Sequence, residues 1–370
     1  MAETVMAMTQ TGANEMEMRE YAMPEVPVDG AILKMEAVGI CGSDVGAYAR
    51  SPKSPKILGH ENVGRIHMIG SSARRMWSLD EGDLVALEEY LVCHQCEWCH
   101  RGEYRHCWAT DTHNNPDPLR YGGTSIEREP ALWGGYSQYL YMPYESVWHR
   151  VPEGLTPSDA SLHIALGNGV QWACLEGGVG AGKSVLIQGP GQMGSACVVA
   201  SKAAGAELII VSGLTSDRDR LEVCERLGAD VTIDVERDDI RERVKEATGG
   251  KGVDTVVDTT ARAGLEPTFI AIDVLRTRGG TMVVQGGKEF PNFPMNRLSD
   301  KYITLKQCRG HSYAAVERGL QIMASGRFPL ELMHTKDYPL AEAASAVRAT
   351  AGELIDGKTR ALHVSIRPWM

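Results

Sequence analysis

Four cysteines fall at Cys93, Cys96, Cys99 and Cys107, spaced C-x2-C-x2-C-x7-C. Four thiolates so placed can close a tetrahedron around zinc, with metal–sulfur bonds of ~2.3 Å. Such a shell has no open position, so the site is expected to be structural rather than catalytic. His94, His100 and His106 lie among these cysteines. They could replace one thiolate; otherwise they are exposed loop residues. A second signal is GPGQMG, Gly189 to Gly194, which matches the dinucleotide fingerprint G-x-G-x-x-G. Gly189 would permit the tight turn, Gly191 the close approach of a pyrophosphate, and Gly194 the packing of helix on strand. Gln192 and Met193 would open a helix whose free N–H groups and positive dipole end favour an anion. Cys41, Ser43 and Asp44 in GICGSD, with His60 and Glu61 in GHE, form a third group. Taken singly they are a buried thiol, a core imidazole and a surface carboxylate, and only their combination with the other two signals gives them weight.

These motifs need elements to hold them. The first third of the chain holds short apolar runs punctuated by Gly and Pro: AILKMEAVGI, NVGRIHMIG, DLVALEEY and SQYLYMP. They are expected to be strands joined by turns. Near residue 155 the character changes. A helical stretch from Pro157 to Glu176 leads to the buried-strand pattern SVLIQ, then GPGQMG, then the apolar helix SACVVASKAAGA. Strands ELIIV, VTIDV, VDTVVDTT and GTMVVQGG alternate with helices RDRLEVCERLGA, DDIRERVKEATGG and LEPTFIAIDVLR. That alternation predicts an α/β protein with a doubly wound parallel sheet, a Rossmann domain spanning residues 156–299. The tail beyond Asp300 loses the rhythm, so residues 300–370 are expected to rejoin residues 1–155 in a discontinuous, mostly-β outer domain.

A competing motif, Gly177 to Ser184 (GGVGAGKS), fits the phosphate-loop pattern G-x4-G-K-[ST]. A phosphate loop follows a strand and precedes a helix. This one follows a helix and precedes VLIQ, so it is expected to be the turn into the first Rossmann strand.

The chain has 370 residues, 43% hydrophobic and 23% charged, with a formal net charge of −10. The acidic balance excludes a general phosphate-backbone binder, which needs a basic stripe. No apolar run reaches the ~18 residues that would span a bilayer. The first residues are too polar for a secretory signal, and a cytoplasmic location is expected. Nine cysteines in such a chain are not a disulfide framework; Cys174, Cys197, Cys224 and Cys308 are expected to be small buried hydrophobes.

In this order GICGSD, GHENVGRI, the four-cysteine lobe, LWGGYSQY and the GPGQMG domain resemble the zinc-containing medium-chain dehydrogenases, the alcohol, sorbitol and threonine dehydrogenase group. The resemblance covers essentially the whole chain. It implies a GroES-like catalytic domain beside the Rossmann domain and two zinc ions per chain. One would be structural, on Cys93, Cys96, Cys99 and Cys107. The other would be catalytic, on Cys41 and His60, with Glu61 as ligand or close neighbour. Relatives often add a ligand from the helix before the Rossmann domain. The matching stretch here is LHIALGNGV, which places Ala165 in that register and leaves His163 as an outside candidate.

The implied activity is hydride transfer between an alcohol, secondary or bulky and hydrophobic, and NAD or NADP. Ser43 would pass on the alcohol proton. Relatives finish that relay with a His five residues after the Cys; Gly46 stands here, and Tyr48 is a possible helper or a packing residue. Trp108, Trp133 and Trp148 could line an apolar pocket or simply pack, and Thr112–Pro130 is a loop insertion that could shape its entrance. An acid about 20 residues beyond the glycine motif would bind the ribose 2′-hydroxyl. The chain instead has Ser212, Gly213, Leu214, Thr215, Ser216, Asp217 and Arg218 there. Thr215, Ser216 and Arg218 could hold a 2′-phosphate, or Arg218 is only a solvated helix residue, and Asp217 is expected to cap the next helix. The preference between NAD and NADP stays open. A homodimer or homotetramer is the family habit. Polyol- or threonine-type dehydrogenases are alternatives, as are, from another class, an inactive nucleotide binder and a zinc-ribbon interaction protein.

Overall fold

The computed structural model describes residues 4–112, 114–260, 263–286, 288–289, 293 and 295–370. The chain divides into two compact units, residues 1–164 with 334–370, and residues 165–333.

The first unit is built on a seven-stranded, largely antiparallel sheet. Its central strand Ala31–Gly39 pairs with Glu61–Ile69, with Tyr139–Met142 and, near its end, with His363–Arg367. The four runs expected as strands occupy this sheet as Ala31–Gly39, Glu61–Ile69, Leu84–Leu91 and Tyr139–Met142. An N-terminal hairpin, Thr4–Gly12 with Glu15–Ala22, adds a small three-stranded sheet that includes Lys56–Ile57. Ile32, Leu33, Met35, Val38, Leu87, Leu140, Val364 and Ile366 form the heart of one apolar core. That core also takes in Trp133 and the partly buried Trp148, while Trp108 is exposed. Of the insertion Thr112–Pro130, His113 lies outside the described residues.

The second unit is a six-stranded all-parallel sheet. In spatial order its strands are Val231–Asp234, Leu208–Gly213, Ser184–Gln188, Thr255–Asp258, Thr281–Gln285 and Thr304–Cys308. In chain order that is 3-2-1-4-5-6, the doubly wound arrangement, with its switch point beside Ser184–Gln188. Central strands read as continuous apolar runs because helices cover both faces. Gly177–Ser184 runs directly into the first of these strands.

Two boundaries differ from expectation. Residues 300–333 belong to the second unit, since Thr304–Cys308 is the sixth strand, pairing in parallel with Thr281–Gln285. The outer segment therefore returns at His334. At the other junction, Pro157–Ala160 stays with the first unit, where the Ser158 hydroxyl donates to Asp337. The helical stretch Pro157–Glu176 is interrupted once, by a turn at residues 161–162. Pro157–Ala160 precedes it, and His163–Gly169 runs on directly into a wider-wound segment, Val170–Glu176.

Asp254 locks the base of the parallel sheet. Its carboxylate accepts from the Ser184 N–H at 3.0 Å and hydroxyl at 2.9 Å, and pairs with Arg276 at 2.7 Å and Lys183 at 3.2 Å. Burial pushes its carboxyl up, but the Ser184 N–H, Arg276 and Lys183 outweigh that and hold it down to about 2. The unfolded chain binds this proton near ~3.9, so the stabilisation is full above that pH and fades as pH falls toward 2. Asp254→Asn should lose about 1 kcal/mol at neutral pH, solvent screening keeping it small. The gap from the parent in denaturant melts should close between about pH 4 and pH 2.

Candidate active site and cofactor cradle

In the first unit, the helix Gly42–Tyr48 begins at Cys41 and the strand Glu61–Ile69 begins just after His60. Both starts are pinned by one carboxylate. Asp44, at the third helical position, accepts the backbone N–H of Cys41 at 3.0 Å and meets His60 Nδ1 at 3.3 Å. This is the return bond of a capping box, from the third helical position to the N-cap N–H, and the Cys41 thiol itself makes no capping bond. Gly59, at φ +94°, makes the turn that delivers His60, and a Cβ there would lie 2.6 Å from the Tyr136 ring. Thus LWGGYSQY contributes the floor under the GHE turn.

Cys41, His60 and Glu61 each offer one donor atom, all within 4.8 Å of one another. His60 and Glu61 are buried and Cys41 is half-buried. The imidazole's Nδ1 is taken by Asp44, which leaves Nε2 for a metal, the tautomer that a carboxylate behind the ring selects. Burial alone would push His60 down, but Asp44 and Cys41 hold it well above its ordinary value. A group that attracts a proton there also attracts a cation. Sulfur, nitrogen and oxygen together form a set suited to zinc, and three protein donors leave one position for a substrate oxygen. Ser43 Oγ lies 3.4 Å from His60 Nε2, on the same side. Glu61 Oε2 is 3.8 Å from Nε2 of the buried His363.

His163 cannot serve as a ligand, because its ring nitrogens face backbone carbonyls of Ala160 at 2.9 Å and Leu87 at 3.0 Å. Tyr48 spends its hydroxyl on the Asn14 carbonyl, a packing role. Asp44 was visible in GICGSD without a role; the C-x-x-D capping spacing was the signal that could have assigned one.

Cys93, Cys96, Cys99 and Cys107 come together as the second cluster. Their sulfurs lie 3.5 Å (Cys96–Cys99), 3.6 Å (Cys93–Cys107) and 3.9 Å (Cys93–Cys99) apart. The edge of a tetrahedron with ~2.3 Å bonds is ~3.8 Å, and a disulfide would need ~2.05 Å. Burial and the neighbouring sulfurs push the Cys99 thiol well up. Burial also raises Cys96, but backbone N–H groups of Cys99 and Trp108 outweigh it and draw this thiol down to about 6. His94 stays outside the set, its Nε2 3.1 Å from the Tyr144 carbonyl.

In the second unit, GPGQMG follows Ser184–Gln188 and opens the helix Gln192–Ala203. Gly189 turns at φ +94°, and a Cβ on Gly194 would collide with the Gly189 carbonyl. A Cβ on Gly191 would meet nothing within 4 Å. That open volume sits at the helix N-terminus and at the switch point of the sheet, a cradle that fits a pyrophosphate. Met193 is in contact with Asn168, and Ser212 is buried at the end of the next strand. Asp217 does not cap the following helix with its side chain; its carboxylate reaches back to the Leu214 N–H at 3.3 Å and closes the turn Thr215–Asp217.

Residues 28–153 match the family model of the alcohol dehydrogenase GroES-like domain, and residues 193–325 that of the zinc-binding dehydrogenases. A probable alcohol dehydrogenase of Mycobacterium tuberculosis strain H37Rv is 34% identical over 362 residues, covering 94% of this chain and 95% of the relative. The chain belongs to the zinc-containing medium-chain dehydrogenases. An L-threonine 3-dehydrogenase of Pyrococcus abyssi is 32% identical, covering 91% of this chain and 92% of the relative. The crystal structure of an alcohol dehydrogenase from Thermotoga maritima superposes with a TM-score of 0.83 at 25% identity, covering 99% of both chains. As a medium-chain dehydrogenase the protein is an NAD(P)-dependent zinc alcohol oxidoreductase with a GroES-like domain and a Rossmann domain. Among the described residues, no helix is long and apolar enough to cross a membrane.

If the two clusters bind metal independently, Cys107→Ser should remove zinc from the lobe alone, and Asp44→Asn should weaken only the other site. Chelator competition with metal analysis should show the second loss as about 10- to 100-fold in affinity, with the lobe's zinc retained.

Proposed function

We propose that Cys41, His60 and Glu61 hold the zinc at which this dehydrogenase oxidises an alcohol, and that Cys93, Cys96, Cys99 and Cys107 hold a structural zinc. The net reaction turns the alcohol and NAD(P)+ into a ketone or aldehyde, NAD(P)H and a proton, and runs in reverse on the carbonyl. The observation that carries this reading is the buried donor set within 4.8 Å, oriented by Asp44 through both the Cys41 backbone and the His60 ring. When bound, zinc polarises the alcohol oxygen and the nicotinamide accepts the hydride.

The chain's own residues manage position and proton. Asp44 fixes the His60 tautomer and the start of its own helix, so two donors keep their places relative to each other. Ser43, exposed and within reach of the donor side of His60, accepts the alcohol's proton and hands it outward. Gly46, three residues further along the helix, offers no titratable side chain, so water takes the proton from Ser43. Gly189, Gly191 and Gly194, with the helix start at Gln192 and Met193, bind the dinucleotide phosphates through backbone N–H groups. Ser212 and Gly213 border the adenosine side of the cradle.

Trp133 and Trp148 are committed to the core and Trp108 faces solvent, so the indoles give no support to a bulky hydrophobic alcohol over a polyol. None of the nine cysteines is joined in a disulfide, which fits a reducing, cytoplasmic setting; a homo-oligomer completes the reading on family habit.

Absorbance of the reduced nicotinamide, followed with primary, secondary, cyclic and aromatic alcohols, polyols and threonine, tests the proposal. Cys41→Ser should lose at least about a thousandfold in rate together with one zinc. Ser43→Ala should keep both metals yet lose about 100-fold in kcat, the usual worth of a placed proton acceptor. A Cys41→Ser protein that retains its rate would sink the assignment.

A further inference from the structure

The cofactor choice is decided where the second Rossmann strand ends, because there the adenosine ribose presents either a 2′-hydroxyl or a 2′-phosphate. Leu208–Gly213 ends without an acid, which by itself favours the phosphate. The structure supplies the charge from the side instead. The neighbouring strand Val231–Asp234 lies in parallel register, Gly213 opposite Asp234. Thr215 Oγ1 donates to Asp234 Oδ2 at 2.7 Å, and the Thr215 N–H donates to Glu236 Oε2 at 2.8 Å. The Glu236 N–H in turn donates to Asp234 Oδ1 at 3.1 Å.

These are the hydroxyl and the N–H that a 2′-phosphate would need, and both are already given to carboxylates. The nearby cations are committed as well. Arg218 pairs with Glu222 at 3.1 Å and is 82% exposed, so it turns along its helix rather than across the strand end. Arg237 pairs with Asp234 at 3.4 Å and Arg220 with Asp217 at 3.3 Å. A phosphate at this strand end would face two carboxylates with no uncommitted guanidinium among these residues, whereas a neutral hydroxyl can donate to either acid.

We propose that Asp234 and Glu236, reaching over from the adjacent strand, take the place of the missing strand-end acid and make the cofactor site selective for NAD(H) over NADP(H). The inference rests on the assignment of GPGQMG as the dinucleotide cradle. It reverses the role expected of Thr215, which orients the two acids, and of the two readings open to Arg218 it takes the solvated helix residue.

Fluorescence titration of the metal-replete protein with NADH and with NADPH, without substrate, tests this directly. The parent should bind NADH at least about 100-fold more tightly, the discrimination that like-charge juxtaposition gives. Glu236→Gln, at an exposed position, and Asp234→Asn should each bring NADPH closer, and together narrow the ratio to about tenfold or less. Raising the salt should narrow the parent's ratio in the same direction, because exposed charges are screened. Equal or tighter binding of NADPH by the parent overturns the proposal, as does a ratio that neither carboxamide changes. Gly191→Ala separates the two layers of the argument. It should weaken both nucleotides alike while leaving the fold intact. Failure of the parent to bind either nucleotide would instead overturn the cradle assignment and the proposal with it.

Discussion

The Asp44 carboxylate is the constraint on which the metal-binding geometry depends. One oxygen holds the N–H at the start of a helix and the other holds a ring nitrogen at the start of a strand. Cys41 and His60 belong to separate elements, and neither element alone could fix the distance between their donors. A buried carboxylate with two N–H partners is satisfied, and the same bonds determine which face of His60 is left for a cation. A hydrophobic contact could bring the two elements together, but it could not select a tautomer.

The discontinuity of the first unit follows from the third donor. Glu61 sits opposite Gly39 in the antiparallel register, and Gly39 is also opposite Ser365 of the strand His363–Arg367. A side chain on Gly39 would occupy the volume where Glu61 and His363 meet. His363 then meets His334 through their Nδ1 atoms at 3.1 Å, and His334 Nε2 lies 3.0 Å from Asp337. Asp337 also accepts from Ser158 and Ser365. Burial raises its carboxyl, but His334, Ser365 and Ser158 outweigh that and hold it down to about 2. The segment that returns from the Rossmann unit therefore carries the buried imidazole that faces Glu61 and the residues that hold that imidazole in place.

Legibility in the sequence tracked how local each feature was. The four-cysteine lobe, GICGSD, GHE and GPGQMG are contiguous or nearly so, and their spacings were readable without tertiary information. The central strands of the parallel sheet were readable because both faces are buried and the pattern is continuously apolar. The sixth strand, TLKQC, is an edge strand with only Cys308 buried, so it carries no such pattern, and the boundary near 300 was misplaced for that reason. The N-terminal hairpin was hidden similarly: Glu15–Ala22 buries none of its residues, and its register comes from pairing with Thr4–Gly12. The hold of Asp44 on His60 and the roles of Asp234 and Glu236 depend on which element lies beside which, information that no single segment contains.

The two cofactor environments are made by different physical means. The dinucleotide cradle is backbone: a left-handed glycine, a glycine with open space above it and a helix start, all of which act on any phosphate regardless of what lies further along the nucleotide. A framework of that kind cannot discriminate, so discrimination falls to a few side chains at the strand ends, where the sheet's register decides what reaches the ribose. The metal set is the reverse. Its donors are side chains whose chemistry is specific, and the backbone around them is shaped by Gly39, Gly59 and the Asp44 capping bond so that three donor atoms from two elements converge. A change of register would therefore disturb nucleotide selectivity and leave the phosphate cradle intact, whereas at the metal it would remove the site itself.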